Sequence, residues 1–219
     1  MKSSSGINLV YLVRHGSTEW NEKQLWQGIV DTELSEKGIK EVESIGEYFS
    51  KKNIKIDLIY TSPMKRALKT ALIISEKICY EKDKIIIDER LRECEIVLWN
   101  GKNINEVKKD HYNEFKNWQS NLDANIKGVE PLRSVQERMY EFLKENSVHF
   151  ANKNVIIVSH AIALRMLIAK ILKLEPPNHL NYSLDNASIT ALQLDHVNYN
   201  NENAIRIKFL NLNPSEIVW

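Results

Sequence analysis

Two histidines in this chain stand where an apolar run stops. Leu9-Val10-Tyr11-Leu12-Val13 ends in Arg14-His15-Gly16, and Val155-Ile156-Ile157-Val158 ends in Ser159-His160. A third apolar run, Ile59-Tyr60, passes through Thr61-Ser62-Pro63 into Met64-Lys65-Arg66. A neutral imidazole carries protons and acts as a nucleophile, while a guanidinium is a fixed cation whose planar donors match the oxygens of phosphate. Two of each, delivered from three run ends, suit the handling of a phosphate group. Each residue taken alone has a plainer reading. Arg14-His15 could be a surface pair in a loop, Arg66 a solvated residue in a helix's first turn, and His160 a core histidine closing a strand. Their repetition at equivalent places argues for a shared site.

The elements around them read as an α/β alternation. Residues 7–13, apolar except for Asn8, have the pattern of a strand buried on both faces of a parallel sheet, and such sheets collect chemistry beyond the carboxyl ends of their strands. Gly16 is expected to allow a tight turn there. Ser35 reads as an N-cap for an amphipathic helix over 36–52, with Ile39, Val42, Ile45 and Phe49 on its apolar face. Residues 57–60 form a short second strand. Ser62-Pro63 reads as a helix start, followed by a stripe of Ala67, Leu68, Ala71, Leu72, Ser75 and Ile78. A third strand is expected over 84–88. Ser134-Val135-Gln136-Glu137 has the form of a capping box for a helix to Phe150, and the strand at 155–158 leads into a helix over 161–174. Pro176-Pro177 breaks the chain. Residues 188–194 and 204–210 read as strands joined by a hairpin turn at 198–203. Residues 99–130 are polar, dotted with aromatics and unlike a strand. They are expected to form one or two short helices capping the sheet's active edge.

At 219 residues, with 43% apolar residues, the chain suits one domain with a real core, the 99–130 stretch being its insertion. A formal net charge of +1 with interspersed acids and bases gives no footprint for nucleic acid or membrane, so any positive potential is local. Cys79 and Cys94 have neither metal-ligand spacing nor a disulfide pattern, which points to a reducing, cytoplasmic setting. The first six residues lack the apolar stretch of a signal peptide.

The set of motifs resembles the histidine phosphatase superfamily, also called the phosphoglycerate mutase-like family, over roughly residues 7–194. Arg14-His15-Gly16 followed by Asn21 is the most specific element. The resemblance implies a three-layer α/β/α sandwich with a mostly parallel central sheet and a small helical cap. It implies that His15 is the nucleophile that carries a phosphoryl group, that Arg14, Arg66 and His160 hold that group, and that Asn21, Gln27 and Gly28 contact it. Glu93 matches the acid that protonates the leaving oxygen. Such an acid has to be held protonated by burial or by the charge of the bound phosphate. Glu95 is a rival by position and Glu89 a third, because residues two apart share a face of extended chain. Trp20 and Trp26 read as packing.

The chain departs from the family's pattern at several points. Val97-Leu98-Trp99-Asn100-Gly101 stands where Gly-x-Trp-x-Gly is common, and Gly128-Val129-Glu130-Pro131 looks like an altered Gly-Gly-Glu-Ser element. Ala161-Ile162 replaces the usual Gly-Gly, so if backbone N–H groups there bind phosphate, the added side chains narrow the pocket. The resemblance leans toward phosphatases. Gln27 stands where the mutases have Thr, the stretch from Glu93 to Ser134 is short for their insertion, and the last strand stops close to Trp219. The expected activity is hydrolysis of small phosphorylated metabolites such as sugar phosphates, without cofactor. Phosphoglycerate mutase is the alternative, and a module that merely binds phospho-ligands is disfavoured by the presence of nucleophile, acid and both arginines. His111, His149, His179 and His196 share no metal spacing, and no metal is implied. An oligomer is not implied.

Overall fold

The computed structural model describes residues 9–180, 182–195 and 205–217. Six strands form one sheet in the order β3-β2-β4-β1-β5-β6: β1 (Val10–Arg14), β2 (Leu58–Thr61), β3 (Ile86–Ile87), β4 (Val155–Ser159), β5 (Ile189–Leu194) and β6 (Ile205–Leu212). β1 pairs in parallel with β4, β4 with β2, and β2 with β3, while β5 runs antiparallel to β1 and β6 antiparallel to β5. The helices are α1 (Glu19–Glu22), α2 (Glu36–Lys51), α3 (Lys65–Lys77), α4 (Ile104–Asp110), α5 (Tyr112–Ser120), α6 (Leu132–Phe150) and α7 (Ala161–Ile171).

Alternation along the central strands builds the layers. Val10, Leu12, Val155 and Ile157 point to one face, where they pack with α6, α7 and the lid helices α4 and α5. Tyr11, Val13, Ile156 and Val158 point to the other face, against Val42, Ile45 and Phe49 of α2 and Ala67, Ala71 and Ile74 of α3. Both faces are covered, which is why these strands read as unbroken apolar runs rather than as alternating ones.

Several boundaries differ from the sequence reading. The third strand shrinks to two residues, Ile86 and Ile87, both exposed, at the sheet's edge. Ser62-Pro63 does not cap α3. That helix starts at Lys65, and Asp31 caps it by accepting from the Lys65 N–H at 2.7 Å. Ser134 is not an N-cap either; α6 begins at Leu132 after Pro131, and the Ser134 hydroxyl donates to Glu130. α7 ends at Ile171 rather than 174. Ser35 caps α2 as expected, accepting from Gly38 N at 3.1 Å. The beginning of the first strand at residues 7 and 8 and the hairpin turn at 198–203 lie outside the described residues. No described helix is long and apolar enough to cross a membrane.

Candidate active site

The register of the parallel strands brings the two histidines together. Arg14 is level with Ser159, His15 N donates to Ser159 O at 3.1 Å, and Ser62 N donates to Val158 O at 3.0 Å. His15, His160 and Ser62 therefore leave three adjacent strands side by side. The His15 and His160 ring centroids are 5.1 Å apart, and the Ser62 hydroxyl lies 2.8 Å from His160 Nε2. Gly16 is required here for a different reason from the one its position suggests. A Cβ on it would lie 2.5 Å from Gly38 O and 2.7 Å from Val42 Cγ2, so the close approach of the β1 exit to α2 excludes a side chain.

His15 is fixed by its own loop. Its Nδ1 lies 2.7 Å from Gly16 O, and since a carbonyl can only accept, Nδ1 carries the proton and Nε2 presents a lone pair. Burial first, then the Arg66 and Arg14 charges, holds the ring well below the ordinary histidine range, so it is neutral at pH 7. His160 is pushed down likewise by burial and by Arg66, and its Nδ1 is buried with no partner.

The two arginines are held by carbonyl oxygens. Arg66 donates from Nη1 to Val30 O and from Nη2 to Gly28 O, each at 2.7 Å, and from Nε to His15 Nε2 at 3.3 Å. Arg14 donates from Nη1 to Leu184 O at 2.6 Å. Burial lowers each guanidinium from 12.5 to about 10, so both remain cationic at pH 7. Gly28 sits at φ +48°, and a Cβ there would lie 2.5 Å from Ile96 Cγ1, so the Arg66-binding carbonyl depends on a glycine.

Asn21 and Gln27 have their oxygens engaged and their amide nitrogens left over. Asn21 Oδ1 accepts from Thr18 N, Thr18 Oγ1 and Asn186 Nδ2 at 3.1–3.2 Å, and Gln27 Oε1 accepts from Thr32 Oγ1 at 2.7 Å. Both residues line a cavity of about 330 Å³ together with Arg14, His15, Gly28, Arg66 and Glu93. His160, fully buried, is not on the wall but lies behind it, against His15.

Between the two rival acids the geometry favours Glu93. It lines the cavity, whereas Glu95 does not. Its Oε1 accepts from Cys94 N at 2.9 Å and Ala163 N at 3.0 Å, and its Oε2 from Ile162 N at 3.2 Å. The Ile162 and Ala163 N–H groups are orphan donors of the first turn of α7. The backbone N–H groups of Ile162 and Ala163 thus hold the carboxylate rather than a phosphate, correcting the expectation drawn from the missing Gly-Gly pair. The side chains of Ala161 and Ile162 do stand on the cavity wall.

Sequence reading missed the far half of the cavity. Arg165 stands on the wall from α7, and Lys108 and Gln119 from the lid helices α4 and α5. Arg165 follows Ala161 by four residues, so helical spacing alone places both on one face. Trp26 packs as expected, edge-on to Trp118 with centroids 6.0 Å apart, but both rings also line the cavity.

A family model for the histidine phosphatase superfamily (branch 1) matches residues 10–203. The chain belongs to that superfamily. A phosphoserine phosphatase of Hydrogenobacter thermophilus is 31% identical to it across 84% of this chain and 85% of the relative. A phosphoglycerate mutase of Schizosaccharomyces pombe is 33% identical across 77% and 81%. Among solved structures, a mycobacterial glucosyl-3-phosphoglycerate phosphatase complexed with VO3 superposes with a TM-score of 0.80 at 25% identity, covering 94% of this chain and 99% of that one. This member of the superfamily is an enzyme, and its three-layer fold and mixed six-stranded sheet are those of its solved relatives.

Proposed function

We propose that this enzyme is a phosphomonoesterase acting on small phosphorylated metabolites through a phosphohistidine at His15. One observation carries the reading: His15 has its Nδ1 proton held by Gly16 O, leaving the Nε2 lone pair in a cavity that also holds Arg14, Arg66 and Glu93. The phosphate dianion sits between Arg14 and Arg66, with Asn21 Nδ2 and Gln27 Nε2 as neutral donors. His160, the second phosphate ligand implied by the family pattern, lies behind the wall against His15 with its Nδ1 buried and unpartnered. A Ser62 hydroxyl that donates to Nε2 would leave that Nδ1 protonated.

In the first step His15 Nε2 attacks phosphorus in line, the bond from phosphorus to the ester oxygen breaks, and Glu93 gives that oxygen a proton. In the second step water attacks the phosphohistidine while the Glu93 carboxylate takes its proton. The P–N bond breaks, and neutral His15 and inorganic phosphate are restored. Arg14 and Arg66 offset the charge on the phosphoryl oxygens in both steps, the work on which phosphoryl transfer mainly depends.

The mutase is the second reading, favoured by the relatives that carry that name. It differs in denying water to the phosphohistidine. A panel of phosphorylated metabolites assayed for released phosphate, with isomerisation of 3-phosphoglycerate followed alongside, separates the two. Phosphate release without isomerisation is the expected result, and isomerisation without release would overturn it.

A further inference from the structure

The residue proposed as the acid stands on an irregular part of the fold. β3 stops at Ile87, a short helical turn covers Glu89–Leu91, and no strand ladder holds the chain from there to Glu95. The carbonyls of this stretch need partners from elsewhere, because buried backbone oxygens left unpaired are costly. They find one in Arg138, on the second turn of α6. Its Nη1 donates to Arg90 O at 2.6 Å and to Arg92 O at 2.7 Å, and its Nη2 donates to Glu93 O at 3.1 Å. The other edge of the guanidinium meets Glu130, Nε to Oε1 at 3.0 Å and Nη2 to Oε2 at 3.2 Å. All the N–H donors of one arginine are thereby used. Glu130 reaches the same segment itself: its N–H donates to Glu95 O at 2.7 Å, and its Oε2 accepts from Glu95 N at 3.2 Å. Both side chains are nearly buried, 11% and 9% exposed, so this pair is shielded from salt and water.

We infer that Arg138, anchored by Glu130, is a positioning residue that sets the direction of the Glu93 carboxyl toward the leaving oxygen. Two elements then fix that acid from opposite ends. The first turn of α7 holds its head, and Arg138 holds the carbonyls of its own and two preceding residues. A lysine cannot take the role, since its three donors sit on one atom and cannot span carbonyls of three residues. A neutral amide at 130 would leave the arginine's fork without its counter-charge. The inference rests on Glu93 being the proton donor, and its test reads that assignment separately.

The measurement is the ratio of kcat on p-nitrophenyl phosphate, whose leaving group needs no proton, to kcat on an alkyl phosphate such as glycerol 3-phosphate, whose leaving group does. Glu93→Gln should raise the ratio, giving the signature of a lost acid. Arg138→Lys should raise it as well, by about tenfold or more. In the Glu93→Gln background the same change should leave the ratio where Glu93→Gln put it, because residues that act as one unit are not additive. A role confined to stability lowers both substrates in proportion and leaves the ratio alone. If Glu93→Gln raises the ratio and Arg138→Lys does not, the inference is overturned and the acid assignment stands. Should Glu93→Gln leave the ratio unmoved, the assignment fails and takes the inference with it. Glu130→Gln, close in shape, is read by the same ratio and decides the matter if Arg138→Lys does not fold.

Discussion

Arg66 Nε lies 3.3 Å from His15 Nε2, so the arginine points a donor at the lone pair that the proposed attack uses. The contact is long for a hydrogen bond and is made by a guanidinium whose other two nitrogens are already tied to Gly28 and Val30. A phosphate oxygen is a better acceptor for that N–H than the imidazole. In the reaction proposed above, arrival of the phosphate would free His15 and satisfy the cation in one event. The Arg66 charge adds to the burial that holds His15 neutral.

The first prediction follows from that pairing. His15→Ala should lose turnover and should not form acid-labile phosphate when mixed with substrate, while the unaltered enzyme forms it. Arg66→Lys keeps the charge but cannot donate to His15, Gly28 and Val30 together, and should reduce kcat by roughly 10²-fold or more. Labelling that persisted in His15→Ala would place the nucleophile elsewhere.

A second prediction concerns acid. His15 and His160 are kept neutral in the folded protein by burial and by Arg66, with proton affinities well below the ordinary value of 6.5. Unfolded, each takes up a proton near that value. Below pH 6.5 the unfolded chain thus binds more protons than the native one, and stability falls as pH falls. Unfolding free energies from urea titrations should drop between pH 7 and roughly pH 5, before most carboxylates titrate, by up to about 1.4 kcal/mol per pH unit for each histidine, and the urea midpoint falls with them. His160→Asn should flatten the slope. A midpoint constant over that range would refute the neutral burial of the pair.

How much of this was legible in sequence depends on what holds each part. The strand ends carrying Arg14, His15 and His160 could be read because both faces of the sheet are covered, so the strands are apolar without interruption and their ends are abrupt. Position along the chain did not separate Glu93 from Glu95; only the family resemblance chose Glu93. Their segment has no repeating pattern, and what aims Glu93 inward is the first turn of α7, 69 and 70 residues away in sequence. The cap of α3 was misread for a related reason. Asp31 reaches α3 from 34 residues upstream, and the Ser62 hydroxyl is occupied by His160.

A third prediction is that chelation leaves turnover unchanged. In the proposed scheme Arg14 and Arg66 set two positive charges beside the phosphate dianion, which is the compensation a divalent ion would otherwise supply. No group of three or more potential metal ligands occurs among the described residues. Activity after treatment with EDTA and dialysis should match the untreated enzyme, and a loss restored by Mg²⁺ or Zn²⁺ would contradict the two-arginine scheme.

The last prediction comes from charge counting across the cavity. Once a phosphate dianion is matched by Arg14 and Arg66, the wall still carries Arg165 and Lys108, against Glu93 as its one carboxyl group among the described residues. Arg165 is the more telling of the two, because burial already lowers its guanidinium and its Nε is enclosed with no partner. The charges of Glu93 and Asp185 offset that burial only in part, and a ligand carrying a second anionic group relieves the rest. 3-Phosphoglycerate and glycerol 3-phosphate make a matched pair, differing in a carboxylate against a hydroxymethyl group. The carboxylate should raise kcat/KM by about tenfold or more, the worth of one charge-assisted fork. Arg165→Gln should collapse the preference, and Arg165→Lys should retain part of it. O-Phosphoserine against O-phosphoethanolamine repeats the comparison with an ammonium present on both, so a preference seen in the first pair and lost in the second would mean that the ammonium, rather than Arg165, decides the outcome. A preference that survives Arg165→Gln in both pairs would assign the carboxylate to Lys108, which Lys108→Gln then checks.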